Sequence, residues 1–394
     1  MIKINIAIID ADLIGRNKHR FPNLVCMKES GYYKELGHNV KLLTNYENLE
    51  SYDLVLISKV FTDTPIDDAI LNLSNVKYGG TGFYYDKAPK LDCEIEHHMP
   101  DYNLYNEWVN EQIDNGVNKS EFAYYLDYSI GFTTRGCFRQ CAFCVNKNYK
   151  KVEQHSPLSE FLDEDRKYIC LLDDNILGYP KWKEIFEELK ATNKPFQYKQ
   201  GMDERILTDE KCKMLSEVKY KGDFIFAFDN IEDREIIETK LTLLRQYIDK
   251  RCKFYVFCGF DRNDKWDYDF WVRDILETFE RIKILMKYGA VPYIMRFNRY
   301  EESPYRGLYI NFASWCNQPA FFKKMSFREF CIKKGINSKV YSKYKNDYDT
   351  YLQDGYSKGS SWRYLDDFES KHSDISEQYF DIKFNDINEY IGVK

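Results

Sequence analysis

The feature that most constrains the fold is a regular alternation of apolar and amphipathic runs over residues 129–298. The apolar runs have the length of buried strands, and the runs between them place apolar side chains on one helical face, as at Trp182, Ile185 and Leu189. Such alternation is typical of parallel strands joined by helices. The region holds six strand–helix units, fewer than the eight of a closed barrel, and therefore predicts a partial (β/α)6 barrel.

A shorter alternation of the same kind precedes the barrel region. Strands are predicted over Ile4–Ile9, Val40–Leu43 and Asp53–Ser58, with a helix over Val25–Leu36. The sequence thus predicts an α/β chain with four regions. These are a doubly wound, Rossmann-like domain over 1–85, a linker over 86–128, the barrel over 129–298, and a mostly helical or irregular C-terminal extension over 299–394.

Composition narrows the class of protein. The chain has 394 residues, of which 44% are hydrophobic and 30% are charged, as is usual for a globular protein. A net charge of −6 argues against a protein that coats nucleic acid. The sequence contains no apolar run long enough to span a bilayer, and its first apolar run is too short for a secretory signal, so we expect a cytoplasmic protein. In that compartment most of the 11 cysteines should be small buried hydrophobes rather than disulfide partners.

Two further segments have competing interpretations. The stretch 321–344 is basic and aromatic, which suits a phosphate-bearing partner. The alternative, which we favour, is a solvated helix face with Phe327 and Phe330 packed inward. The pair His97-His98 is interpreted as solvent-facing residues of the linker.

Three cysteines, Cys137, Cys141 and Cys144, follow the first predicted barrel strand with the spacing Cys-x3-Cys-x2-Cys. Three thiolates on one loop can hold a cubane iron–sulfur cluster and leave one iron without a protein ligand. A structural zinc site ordinarily uses four protein ligands in two pairs, and no matching pair of cysteines lies nearby. We interpret the trio as a cluster site, with a zinc site or chance spacing as the alternatives.

The motif and the strand units after it resemble the radical SAM superfamily over about residues 129–298. Phe143, just before the third cysteine, matches an aromatic residue common in that family and is a candidate cofactor contact. The resemblance implies a [4Fe–4S] cluster whose free iron binds S-adenosyl-L-methionine. Reductive cleavage of that molecule would yield methionine and a 5′-deoxyadenosyl radical, which abstracts hydrogen from a substrate. It also implies an electron donor such as flavodoxin or ferredoxin.

The resemblance indicates where S-adenosylmethionine would bind. In radical SAM proteins the end of the second barrel strand binds the methionine amino group, and here it reads Asp173-Asp174-Asn175 in place of the usual Gly-Gly-Glu. A helix N-cap cluster is the alternative for these residues. Polar residues at the next two strand ends should also face the site. Those candidates for ribose, methionine carboxylate or substrate are Asp203, Arg205 and Asp229, although Arg205 could instead form an ordinary ion pair.

The N-terminal segment is similar to the Rossmann-like cobalamin domain of one radical SAM subgroup. Gly79-Gly80 matches the glycine pair that lines the nucleotide tail there. The Asp-x-His-x-x-Gly motif expected after the first strand is absent, since the chain reads Asp10-Ala11-Asp12-Leu13-Ile14-Gly15. We therefore expect a cobalamin-like fold that does not bind cobalamin.

Three functions remain open at this point. The first is a radical SAM enzyme acting on a small molecule, a peptide or a nucleic acid, with methylation as one outcome suggested by the Asp-Asp-Asn strand end. The others are a non-catalytic protein that binds the cluster or S-adenosylmethionine, and a cobalamin-dependent methyltransferase. Methylthiolation is disfavoured, because the N-terminal segment has only Cys26 and Cys93 and lacks ligands for a second cluster. The sequence assigns no catalytic residue.

Overall fold

The structure is a computed structural model that describes residues 2–16, 18–146, 149–336 and 361–390. The chain divides into two compact units, Met1–Lys199 and Gln200–Lys394. Residues 337–344 of the basic aromatic stretch lie outside the described residues. The four predicted domain ranges remain predictions.

The first unit begins with a parallel sheet in the order β2-β1-β3-β4. Its strands are β1 (Asn5–Asp10), β2 (Asn39–Leu43), β3 (Leu54–Ser58) and β4 (Val76–Gly79). Side chains alternate between the two faces of β1, as the pleat of a strand requires. Ile8 packs with Met27 on one face, whereas Ala7 and Ile9 pack with Ile70 on the other. Helices therefore cover both faces, which confirms the predicted doubly wound fold.

The predicted linker packs against this sheet. Tyr102, Tyr105 and Phe122 are buried in the same apolar cluster as Ile8 and Met27. The Tyr105 hydroxyl also donates a hydrogen bond of 2.9 Å to a carboxylate of β1. The helices of the first unit are α1 (Ala11–Gly15), α2 (Leu24–Glu35), α3 (Asp68–Leu71), α4 (Thr81–Tyr84), α5 (Cys93–Glu96), α6 (Asn106–Asp114), α7 (Ala123–Leu126) and α8 (Trp182–Ala191).

A second parallel sheet of the first unit has the order β5-β8-β9. Its strands are β5 (Tyr128–Gly131), β8 (Tyr168–Leu171) and β9 (Phe196–Tyr198). Between β5 and β8 the chain forms a short antiparallel pair, β6 (Thr134–Arg135) with β7 (Glu153–Gln154). These three parallel strands stand where the first three barrel strands were predicted.

The second unit contains the remaining three predicted barrel strands, in the parallel order β10-β11-β12. They are β10 (Phe224–Ala227), β11 (Cys252–Cys258) and β12 (Val291–Arg296), with helices α9 (Asp209–Glu217), α10 (Arg234–Arg245) and α11 (Tyr268–Lys287). The carboxylate of Asp267 caps α11 by accepting from Phe270 N at 2.8 Å, and Gly289, with φ of 65°, follows its end. All six predicted strands are therefore present in the described residues.

The C-terminal extension is helical in its described part, as predicted. Its helices are α12 (Arg306–Cys316), α13 (Pro319–Phe322), α14 (Phe327–Ile336), α15 (Ser361–Glu369), α16 (Ser373–Tyr379) and α17 (Phe384–Ile387). Phe327 and Phe330 are buried, and Arg328 bonds Glu369 at 2.7 Å and Asp381 at 3.0 Å. These contacts favour the packing interpretation for residues 321–336. No helix among the described residues is both long and apolar enough to cross a membrane.

Candidate cluster-binding site

The cysteine loop projects from a closed base. Pairing of Thr134 with Gln154 and of Arg135 with Glu153 brings its two ends together. Gly136 enters the loop with φ of 94°, and a Cβ there would lie 2.4 Å from the carbonyl oxygen of Lys151. Only glycine avoids both the backbone strain and this clash. The closed base of the loop therefore requires glycine at the position before the first cysteine.

None of the three cysteines on this loop forms a disulfide, and each is partly exposed. Cys137 Sγ accepts hydrogen bonds from Arg139 N and from Asn175 Nδ2, each at 3.4 Å. Cys144 Sγ accepts one from Asn146 N at 3.4 Å. Donors of this kind around sulfur are the supporting contacts that orient cysteine ligands at metal sites.

The described residues contain no group of three or more His, Cys, Asp or Glu side chains spaced to hold a single metal ion. A cubane cluster places each thiolate on a different iron, so its ligands lie further apart than the ligands of one ion. The seven cysteines Cys26, Cys170, Cys212, Cys252, Cys258, Cys316 and Cys331 are buried and free, and Cys93 is exposed and free, as predicted for most of them.

Asp173 anchors the strand that leads into the loop. Its carboxylate accepts from Thr133 N at 3.1 Å, Thr133 Oγ1 at 2.6 Å, Thr134 N at 2.6 Å and Thr134 Oγ1 at 2.7 Å. Burial raises the pKa of Asp173 above its usual value, and the four hydrogen bonds offset only part of this increase. Both carboxylate oxygens are therefore used in holding the loop in place.

Asp174 fixes the loop at two further points. Its carboxylate accepts from Gly136 N at 2.7 Å and from Asn146 Nδ2 at 2.5 Å. Asp174 thereby connects the start of the loop to a residue just after the last cysteine. Neither aspartate caps α8, because the N-cap of that helix is Lys181, which makes no side-chain cap bond. The N-cap alternative for the Asp-Asp-Asn sequence is not what the structure shows.

Within the sequence Asp173-Asp174-Asn175, Asn175 is the residue whose side chain has a polar atom without a hydrogen-bond partner. The side chain is buried, and its Oδ1 has no hydrogen-bond partner, while its Nδ2 donates to Cys137 Sγ. A buried acceptor without a partner is costly and marks a place where a donor belongs. Phe143 lies on the same loop, and its carbonyl oxygen accepts from the Tyr85 hydroxyl at 3.4 Å.

The remaining predicted residues lie in the second unit. Arg205 donates to Asp203 and to Asp233, each at 2.8 Å, so the ordinary ion pair considered from the sequence is formed. Asp229 accepts from Phe257 N at 3.2 Å, and burial raises its pKa to about 6 although a nearby arginine lowers it. Their roles in binding ligand remain predictions.

Glu204 was missed by sequence reasoning. Its side chain is buried, and its Oε1 atom has no hydrogen-bond partner. In the chain it lies between Asp203 and Arg205, which were both predicted as site residues. Burial raises its pKa well above the usual value, which favours the neutral acid. It lies in a single turn of 3-10 helix, Glu204–Ile206, after the third barrel strand. Side-chain direction in such a turn cannot be read from periodicity, so only its position at a strand end could have suggested it.

The prediction that His97-His98 faces solvent holds only in part, because the His97 side chain is 37% exposed but both rings also make tertiary contacts. His97 stacks on His155, with ring centroids 5.1 Å apart, and its Nδ1 lies 2.8 Å from a carboxylate oxygen of Glu160. The His98 side chain is 17% exposed and lies 2.7 Å from Glu35. Both rings are held by tertiary contacts that local sequence cannot encode.

Glu96 lies at the centre of a cluster of charged side chains next to the base of the cysteine loop. Its Oε1 lies 3.1 Å from His155 Nε2, 3.5 Å from Lys28 Nζ and 4.0 Å from Arg135 NH2. Burial alone would raise the pKa of Glu96, but the His155 hydrogen bond and the charges of Lys28 and Arg135 lower it to about 2. The cluster thus holds Arg135, the residue that precedes the loop glycine.

This cluster predicts acid sensitivity. A pKa lowered in the folded protein contributes stability that is complete above the unfolded value of 4.5 and is lost as pH falls toward about 2. We expect Glu96→Gln to lower the free energy of unfolding at pH 7 by about 1–2 kcal/mol. The free energy of unfolding of this variant should also fall less steeply than that of the unchanged protein as the pH is lowered through this range. Urea unfolding at several pH values would measure it. An acid profile identical to that of the unchanged protein would contradict the assignment.

Known proteins give limited comparison. No family model and no curated protein matches the sequence. Two solved structures align with it, both of the cobalamin-dependent S-adenosylmethionine radical enzyme OxsB. The form with aqua-cobalamin bound has 12% identity and a TM-score of 0.35, and the apo, selenomethionine-labelled form has 13% and 0.36. Each alignment covers 75% of this chain and 49% of the other, so the chain spans about half the length of these structures. They give no support to the expectation that cobalamin is not bound.

Proposed function

We propose that this chain is a radical SAM enzyme. Cys137, Cys141 and Cys144 would hold a [4Fe–4S] cluster. Such a cluster would supply the one-electron reduction that cleaves S-adenosylmethionine to methionine and a 5′-deoxyadenosyl radical. The observation that carries the proposal is the loop itself, on which three partly exposed cysteines follow a barrel strand. The carboxylates of Asp173 and Asp174 anchor this loop at both ends.

The donor set fits a cluster with one open iron. Three thiolates from one loop can ligate three corners of a cubane. The backbone amides and the Asn175 amide that already point at sulfur would stabilise the added negative charge. Hydrogen bonds from Thr134 N to Asp173 and from Gly136 N to Asp174 hold the start of the loop in place. Preorganisation of this kind lowers the cost of assembling a metal site.

Asn175 supports the proposal from the cofactor side. Its unpartnered, buried Oδ1 is an acceptor next to a cluster ligand. The ammonium of S-adenosylmethionine is a donor that would need such an acceptor in its binding site. The carboxylates of Asp173 and Asp174 already hold the loop, so we assign the ammonium contact to Asn175.

The decisive test is cleavage of S-adenosylmethionine. Anaerobic protein reconstituted with iron and sulfide should absorb at about 400 nm and release 5′-deoxyadenosine when a reductant is added. A cluster that forms without any turnover would favour the non-catalytic alternative. Mass analysis of candidate small molecules, peptides and nucleic acids after turnover would identify what is altered. In the cell we propose a small flavodoxin or ferredoxin as the electron donor.

The Asn175 hydrogen bond predicts a shift in potential. Loss of one donor to a ligating sulfur destabilises the more negative, reduced cluster, so Asn175→Ala should lower the midpoint potential by about 60 mV, the one-electron equivalent of ~1.4 kcal/mol. Redox titration followed by electron paramagnetic resonance would measure it without turnover. Asn110→Ala, at an exposed asparagine inside α6 of the same unit, is the control. Equal potentials in the two variants would refute the assignment.

A further inference from the structure

A pocket opens at the carboxyl end of the N-terminal sheet. In the order β2-β1-β3-β4 the direction of winding reverses between β1 and β3. Crevices at such switch points are where open α/β sheets bind ligands. The pocket has a volume of about 450 Å3 and is lined by the loops that follow these two strands. Its lining residues are Gly15, Arg16, Lys18, His19, Arg20, Phe61 and Asp63.

Buried carboxylates hold these two loops together. Asp10, at the end of β1, accepts from Asp12 N at 3.2 Å and Leu13 N at 3.3 Å and so caps α1. Asp12, itself 1% exposed, accepts from Val60 N at 2.7 Å and from Thr64 Oγ1. The walls of the pocket are therefore preorganised rather than loose surface loops.

The close approach of the loops also depends on Gly15. A Cβ at this position would lie 2.7 Å from Thr64 Cγ2 and 3.3 Å from Pro65 Cδ. Real Cβ atoms do not approach so closely, so a larger residue would separate the loops. The sequence thus places a glycine where the two walls meet.

The lining carries a surplus of positive charge. Arg16, Lys18 and Arg20 face a single carboxylate, Asp63, among the residues that line the pocket. Arg16 contacts Asp63 at 2.5 Å, and its guanidinium lies 4.2 Å from the centroid of Phe61. These contacts orient the guanidinium while using only part of its five donors.

The second guanidinium is oriented in the same way. Arg20 Nε donates to Glu121 at 3.3 Å, and its NH1 donates to the carbonyl oxygen of His19 at 2.8 Å. Lys18 has no partner among the described residues and is exposed. The pocket is therefore surrounded by two guanidinium groups with donors to spare and one ammonium group. Guanidinium and ammonium groups are the side-chain groups that bind phosphate in proteins.

We propose that this switch-point pocket binds a small phosphate-bearing molecule, a phosphate monoester or diphosphate. Arg16 and Arg20 would donate to phosphate oxygens, Lys18 would add charge, and Phe61, 41% exposed at the rim, would contact the organic part. Asp63 opposes the anion and limits its affinity. The volume is that of sites for small ligands.

The test is calorimetric titration of the full chain with inorganic pyrophosphate and with adenosine monophosphate. We expect saturable binding at one site. Arg16→Gln should weaken it by about 10-fold, the equivalent of one lost charge-assisted bond. Asp63→Asn should tighten it by about 3-fold, because it removes the only carboxylate among the lining residues. A change of opposite sign in these two variants would not arise from general loss of structure.

Two controls keep the result specific. Lys18→Gln changes an exposed residue and should weaken binding without affecting the fold, whereas Lys41→Gln, at an exposed site on β2, should leave it unchanged. Cys137→Ala should bind pyrophosphate like the unchanged protein, so failure of the cluster proposal is distinguishable from failure of this one.

Absence of saturable binding, or equal binding by Arg16→Gln and Asp63→Asn, would overturn the proposal. Displacement of pyrophosphate by hydroxocobalamin would overturn the assignment to a free phosphate compound.

Discussion

Cys137→Ala is expected to abolish both cluster assembly and cleavage of S-adenosylmethionine. Alanine removes one of three thiolates, and the remaining two cannot hold three corners of a cubane. Formation of 5′-deoxyadenosine should fall by more than about 100-fold, since even loss of supporting hydrogen bonds around a metal site costs about 10–100-fold. Iron content, absorbance at about 400 nm and product formation would be measured on the same anaerobic sample. Cys141→Ala and Cys144→Ala should behave alike.

The matched control is Cys93→Ala. Cys93 is free and exposed in the same unit, but it lies outside the loop. Its loss should leave iron content and cleavage unchanged. If Cys137→Ala cleaved S-adenosylmethionine as well as the Cys93→Ala protein does, the proposed function would be wrong. Iron bound normally by all three loop variants would point to a site elsewhere.

Asp173→Ala is expected to be the most destabilising change near the site. Two backbone amides and two hydroxyls, those of Thr133 and Thr134, would lose their shared acceptor in a buried position. Leaving buried donors unpaired should cost about 3 kcal/mol. We expect a lower urea midpoint and poorer cluster loading, because the strand that carries the loop would no longer be held.

Asp165→Ala provides the comparison for this change. Asp165 is an exposed carboxylate a few residues earlier in the chain. Its removal should change stability by less than about 0.5 kcal/mol, as is usual for surface substitutions. If the two variants unfolded at the same urea concentration, Asp173 would not be the anchor that the hydrogen bonds indicate. Loading the cluster at equal yield in both would lead to the same conclusion.

Much of the architecture could be predicted because it depends on local pattern. The six strands of the barrel region stand where apolar runs were read. The helix α11 ends at Lys287, two residues before Gly289, and glycine is a residue typical of helix ends. The cysteine spacing is also local, since all three residues lie on one loop. Periodicity and turn residues are encoded within a few neighbours, so they survive without knowledge of the rest of the chain.

The partners of polar side chains could not be predicted in this way. Asp173 was a candidate ligand, but its oxygens bond residues 39 and 40 positions earlier. His97 was assigned to solvent, yet it stacks on His155. Glu204 was passed over although it is buried with an unpartnered oxygen. Each outcome depends on which distant segments meet, and a single sequence contains no direct record of that.

The sequence by itself determined the α/β class, the order of strands and helices, and the three-cysteine loop, because these follow from spacing along the chain. Only the tertiary structure decided which member of Asp173-Asp174-Asn175 keeps a free acceptor beside a thiol. It alone brought the loops after β1 and β3 together into one cationic pocket. The physical reason is that hydrogen bonds and burial are set by contacts between residues far apart in sequence, whereas strands, helices and turns depend chiefly on neighbours.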